Sequence, residues 1–122
     1  KGSIIHIGSI HSTLTKPGFT AYATSKAALA GLTRAMAVEL GGTVRVNAIE
    51  PAAIATPMLE ASFANNPELR AQLESFHPTN SIGCPNDVAK AVQFLLDPSC
   101  SFLNGCVLPL GGGIHSRLYD PD

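Results

Sequence analysis

Residues 2–26 read GSIIHIGSIHSTLTKPGFTAYATSK, and this stretch decides the fold. Residues 3–7 are apolar and largely β-branched between Gly2 and Gly8, which predicts a buried strand of a parallel sheet ending near Gly8. Residues 9–20 are rich in Ser, Thr, Gly and Pro and predict an irregular loop. That loop lies at the strand's carboxyl end, the edge of an open parallel sheet where ligands bind. Residues 21–40 are dominated by alanine, with Leu29, Leu32, Met36 and Leu40 at three- and four-residue steps and Gly41-Gly42 as a stop, so a helix is predicted there. Its other faces carry Ala27, Ala28, Ala30, Gly31, Ala35, Ala37 and Val38 instead of charges, so it is expected to be covered by the sheet on one side and a neighbouring helix on another.

Downstream, VRVNAI at 44–49 predicts a second strand, and strand-helix-strand order implies a right-handed parallel crossover ended by Pro51. Residues 52–85 contain Pro57, Pro67, Pro78 and Pro85, with one polar helical candidate between Pro67 and Phe76. A connection this long reads as a functional lid or pocket wall. Its Met58, Leu59, Phe63, Leu69, Leu73 and Phe76 suit a partly apolar substrate, although each singly is most simply a packing residue. Asn86-Asp87 is expected to cap a helix over 88–96 with Val88, Val92, Leu95 and Leu96 as its stripe, followed by a short strand over 105–110. The tail, 111–122, opens with three glycines, and its His115 and Arg117 are expected to be solvated.

At 122 residues the chain suits one domain. Its charged fraction of 14% is well below the roughly 25% of ordinary globular domains. Part of its surface is therefore expected to be covered by a partner subunit, a ligand or a further part of the same protein. A net charge of -1 without any basic run gives no footprint for nucleic acid or an anionic membrane. No apolar run approaches the roughly 18 residues of a membrane span, and no signal-peptide pattern opens the sequence, so a cytoplasmic location is expected. Cys84, Cys100 and Cys106 lack the spacing of a metal or redox pair and read as reduced packing residues.

The chemistry rests on Tyr22 and Lys26, four apart at a helix start and so on one face. A protonated lysine beside a phenol favours the phenolate, which makes the tyrosine a candidate general acid or base. Ser9, at the preceding strand's end, is placed to hydrogen-bond the same substrate oxygen. Such a pair alone is usually packing; the strand-end serine and the following VRVNAI strand favour the catalytic reading.

Ser9, YATSK at 22–26, VRVNAIEP at 44–51, IATPM at 54–58 and the closing GGG resemble the C-terminal half of the short-chain dehydrogenase/reductase family. The resemblance covers most of the chain. It implies an α/β fold, a Rossmann-like doubly wound parallel sheet of which this chain holds the last three strands and their helices. Residues 1–122 would be the C-terminal part of one such domain, with 52–85 as its substrate loop. By the same resemblance Ser9, Tyr22 and Lys26 are the catalytic residues, and Tyr22, Lys26, Pro51, Ile54 and Thr56 meet an NAD or NADP cofactor, Lys26 at the nicotinamide ribose. His11, two residues past Ser9, is a candidate wall of the pocket, whereas His6 reads as satisfied structure. Ala52-Ala53 stands where the family commonly has a glycine, which narrows the space beside the cofactor.

The family's glycine-rich nucleotide signature is absent, and Gly111-Gly112-Gly113, with no helix pattern behind it, does not replace it. The first strand is accordingly expected to present an unpaired edge. The implied activity is interconversion of a secondary alcohol and a ketone by hydride transfer, in a dimeric or tetrameric homo-oligomer. The alternative is a catalytically idle, dehydrogenase-like interaction module.

Overall fold

The structure is a computed structural model describing residues 2–121. Three parallel strands, β1 (Gly2–Ile7), β2 (Val44–Pro51) and β3 (Val107–Leu110), form one sheet in the order β1-β2-β3. β1 pairs with β2 from Gly2 opposite Val44 to Ile7 opposite Ile49, and β2 pairs with β3 from Ala48 opposite Val107 to Pro51 opposite Leu110. β2 is central, and Val46, Asn47, Ala48, Ile49 and Glu50 are buried. Strands buried on both faces read as continuous apolar runs. Among the described residues β1 stands at one side of the sheet with β2 as its neighbour, and the parallel sheet matches the α/β class read from the sequence.

The β1–β2 crossover is α1 (Thr20–Leu40). Its inward stripe differs from the predicted one: Ala30, Thr33 and Ala37 are buried, Leu29 and Met36 half-buried, and Leu32 and Leu40 exposed. Small side chains let the helix approach β2 closely, and Thr33 satisfies its hydroxyl through the Leu29 carbonyl and the His6 ring. His6 is thus satisfied structure, as read from the sequence. Two asparagines pin the other side. Asn104 accepts from Val46 N and donates to the Ala37 carbonyl, and Asn47 donates to the Leu103 carbonyl while accepting from Cys106 N.

The connection from β2 holds α2 (Pro57–Ser62), which the sequence reading missed, and α3 (Pro67–Ser75), which it anticipated. Each starts with proline behind a side-chain cap, Thr56 accepting from Leu59 N and Asn66 from Leu69 N. α4 (Pro85–Leu96) begins earlier than predicted: Cys84 is its N-cap, and Asp87 reaches back to the Cys84 amide at 2.8 Å. Asn86-Asp87 therefore lies inside the helix, because Pro85 already has the backbone angle of a first helical residue. Within α4 the expected stripe holds for Val88, Val92 and Leu95, whereas Leu96 is exposed. β3 starts at Val107 and not at residue 105, since Gly105 has φ +78° and cannot continue an extended strand. All three cysteines are free, but Cys84 is an exposed cap and not a packing residue. No helix among the described residues is long and apolar enough to cross a membrane.

Candidate active site

At the carboxyl end of β1 the chain turns sharply through a short 3-10 helix, Ile10–Ser12. Ser9 caps this turn, its Oγ accepting from His11 N at 3.1 Å. The serine is buried, yet it lines a cavity of about 720 Å³ and keeps its hydroxyl proton available for donation. Ser12, at the end of the same turn, donates its hydroxyl to Glu50 Oε2. Glu50 is 4% exposed on β2, so a buried carboxylate ties the serine-bearing turn to the central strand. Gly8 N adds a bond to the Ile49 carbonyl at 2.8 Å. Glu50 was not singled out in the sequence; the available signal was an acidic residue directly after the VRVNAI strand and before Pro51.

Across the cavity mouth, the first turns of α1 bring Tyr22 and Lys26 to one side. The Lys26 ammonium lies 5.5 Å from the centre of the Tyr22 ring. Lys26 is half-buried and makes no ion pair among the described residues, whose ion pairs are the two Arg70 makes with Glu60 and Glu74. Tyr22 is partly exposed and lines the same cavity as Ser9. His11 joins them: its ring stacks on Phe19 at 4.7 Å, meets Tyr22 edge-on at 5.3 Å, and its Nδ1 lies 2.8 Å from Thr15 Oγ1. Ser9, His11 and Tyr22 thus share one cavity, with Lys26 beside Tyr22. The opposite wall comes from the connection and tail and is largely apolar, with Leu59, Phe63, Leu73, Phe76 and Ile114.

The other sequence-derived positions lie apart from that wall. Pro51 closes β2, and the next amide, Ala52 N, bonds to the Leu110 carbonyl. Ile54 bridges to Gly83 and lines a neighbouring cavity of about 510 Å³. Thr56 uses its hydroxyl to cap α2. Gly111-Gly112-Gly113 packs against the turn after α3: a Cβ on Gly112 would meet Thr79 Oγ1 at 2.4 Å and one on Gly113 would meet Pro78 at 3.0 Å. The glycines make that close approach, so this loop offers no open cradle for phosphate.

Arg117 is not simply solvated, contrary to expectation. Arg117 donates to the Ser75 and Phe76 carbonyls, and the Tyr119 hydroxyl donates to the Phe76 carbonyl at 2.8 Å, so the tail clasps the end of α3. His115 is half-buried; burial pushes its pKa below the ordinary value, with the Glu50 charge opposing. Among the described residues no group of three or more His, Cys, Asp or Glu side chains could hold a metal ion.

A family model described as enoyl-(acyl carrier protein) reductase matches residues 1–115. An uncharacterised oxidoreductase of Mycobacterium tuberculosis is 47% identical over 113 residues, covering 93% of this chain and 43% of the relative. Among solved structures, a short-chain dehydrogenase family protein from Francisella tularensis superposes with a TM-score of 0.86 at 33% identity, over 94% of this chain and 51% of that one. ElxO with NADP bound gives 0.87 at 32% identity, over 94% and 47%. The chain therefore spans about half the length of the proteins it matches.

Proposed function

Since the chain belongs to the short-chain dehydrogenase/reductase family, we propose that its protein is an NAD(P)-dependent oxidoreductase that interconverts a secondary alcohol and a ketone. The observation carrying this reading is the convergence of Ser9 and Tyr22 on one cavity, with the Lys26 ammonium against the Tyr22 ring. In the proposed mechanism the Tyr22 hydroxyl exchanges a proton with the substrate oxygen. Ser9 donates to that oxygen and holds it, its own position fixed by the cap to His11 N and by the Ser12–Glu50 tie. Lys26 supplies a positive charge beside the phenol and donors for the ribose hydroxyls of the cofactor.

The residues present suit the nicotinamide end of a dinucleotide. Lys26 is a half-buried residue without an ion-pair partner among the described residues, which leaves its ammonium able to donate to a ligand. Tyr22, Lys26, Pro51, Ile54 and Thr56 would hold that end, Ile54 and Thr56 only by giving up their bridge and cap or by offering backbone groups. When bound, NAD or NADP supplies or accepts the hydride. His11 forms a wall of the substrate pocket, and residues 52–85 serve as its lid.

Replacing Tyr22 by Phe in the intact protein is expected to lower turnover by about 10²- to 10⁴-fold, with cofactor binding retained in a calorimetric titration. Undiminished turnover would remove Tyr22 from the reaction. A homo-oligomer, dimer or tetramer, belongs to the same proposal. It is supported by the outer face of α1, where Val38 is 85% and Leu32 48% exposed beside small residues. Sedimentation of the intact protein at a monomer's mass would overturn it.

A further inference from the structure

His77 lies just past Phe76, the C-cap of α3, and is 2% exposed. Its Nδ1 lies 2.8 Å from the Leu73 carbonyl oxygen. A carbonyl only accepts, so Nδ1 carries a proton, and in the neutral ring Nε2 is an acceptor. That atom is buried without a hydrogen-bond partner. The backbone is separately satisfied, His77 N donating to the Glu74 carbonyl and Asn80 N to the His77 carbonyl. His77 lines the cavity that also holds Ser9 and Tyr22, and it lines the neighbouring 510 Å³ cavity as well. His115 also buries an unpartnered Nε2, but it lines neither cavity.

A buried acceptor left without a donor is costly, and folded proteins almost always fill such positions. Much of the surrounding wall is apolar and cannot fill it. We infer that His77 Nε2 is a hydrogen-bond acceptor of the substrate cavity, which selects an alcohol or ketone bearing a second hydroxyl, remote from the reacting carbon, on an otherwise apolar frame. The inference rests on the proposed reading of the Ser9–Tyr22 cavity as the substrate site. An analogue lacking the second hydroxyl is disfavoured because it leaves Nε2 desolvated and unpaired.

The test uses the intact protein with its nicotinamide cofactor and matched probes, the 3- and 4-substituted ethylcyclohexanols and hydroxymethylcyclohexanols, in which a methyl replaces a hydroxyl. At one ring position kcat/KM is expected to favour the hydroxymethyl compound by about tenfold, the worth of one net hydrogen bond. His77→Leu should bring that ratio to near one, and His77→Gln, whose side-chain carbonyl can accept, should restore part of it. In protein labelled with ¹⁵N-histidine, the His77 Nε2 resonance should move on adding the hydroxymethyl compound and stay in place with the ethyl one. Equal ratios in the unmodified protein and His77→Leu, or a resonance indifferent to both probes, overturn the inference. If neither probe is turned over, a selective shift keeps the His77 contact while rejecting the alcohol chemistry, and the absence of a shift rejects the contact.

Discussion

The two walls of the main cavity are held by different means. The wall carrying Ser9 is fixed from within the sheet: its turn is capped by the serine itself, tied through Ser12 to buried Glu50, and bonded from Gly8 to β2. The facing connection, residues 52–84, has short helices with no buried residue. It is secured by the Ile54–Gly83 bridge, the Arg70 ion pairs and the clasp of Arg117 and Tyr119. Buried, hydrogen-bonded anchorage keeps one geometry, whereas exposed hydrogen bonds and ion pairs open at low cost. The difference supports the proposed role of the second wall as a lid over a rigidly positioned first wall.

The sharpest way to break this contrast is at Glu50. Glu50→Ala in the intact protein is expected to lower kcat by about 10- to 100-fold, because small misplacements of a reacting group carry penalties of that order. KM should change less. Glu50→Gln, which still accepts from Ser12, should keep most of the activity, so equal losses in both variants would deny the turn its anchoring role. On the other wall, the pair Arg117→Ala and Tyr119→Phe should leave kcat nearly unchanged and raise KM by about two- to fivefold. Amide exchange in α3 should quicken by at least about fivefold, since each hydrogen bond removed is worth about 1 kcal/mol. Unaltered exchange would show that the tail does not hold α3.

The smallest effect belongs to the cap of α4. The Cys84 backbone amide bonds Asp87, with a smaller contribution from the Cys84 side chain, and holds its carboxyl below the ordinary value. A depressed folded-state pKa stabilises the protein above the unfolded carboxylate value of about 4 and is lost as the pH falls through the folded value. Thermal melts of Asp87→Ala should therefore fall below those of the unaltered chain at neutral pH and converge with them in strong acid. A constant gap across that range would exclude the ionic contribution.

The parallel order of strands, the crossover helix and the pairing of Tyr22 with Lys26 were legible in the sequence, because apolar periodicity and spacing along one helix are local properties. Sequence patterning named large residues as the inner stripe of α1, whereas Ala30, Thr33 and Ala37 hold that place. Close approach to β2 rewards small volume over hydrophobicity there, which no periodicity records. The short α2 was hidden for a related reason: its start depends on Thr56 capping ahead of Pro57, within a stretch whose prolines otherwise signal interruption.

The sequence by itself determined a three-stranded α/β unit and named the residues proposed to move a proton, since chain order and side-chain chemistry suffice for both. Only the tertiary structure decided what holds those residues and what faces them. Glu50 meets Ser12 across 38 positions, and Arg117 meets Phe76 across 41. The His77 ring reaches only to Leu73, yet its place in the cavity wall beside Ser9 and Tyr22 exists only once the chain has folded. Partnerships across such separations leave no spacing to read, because they form only when burial makes an unpaired polar group costly.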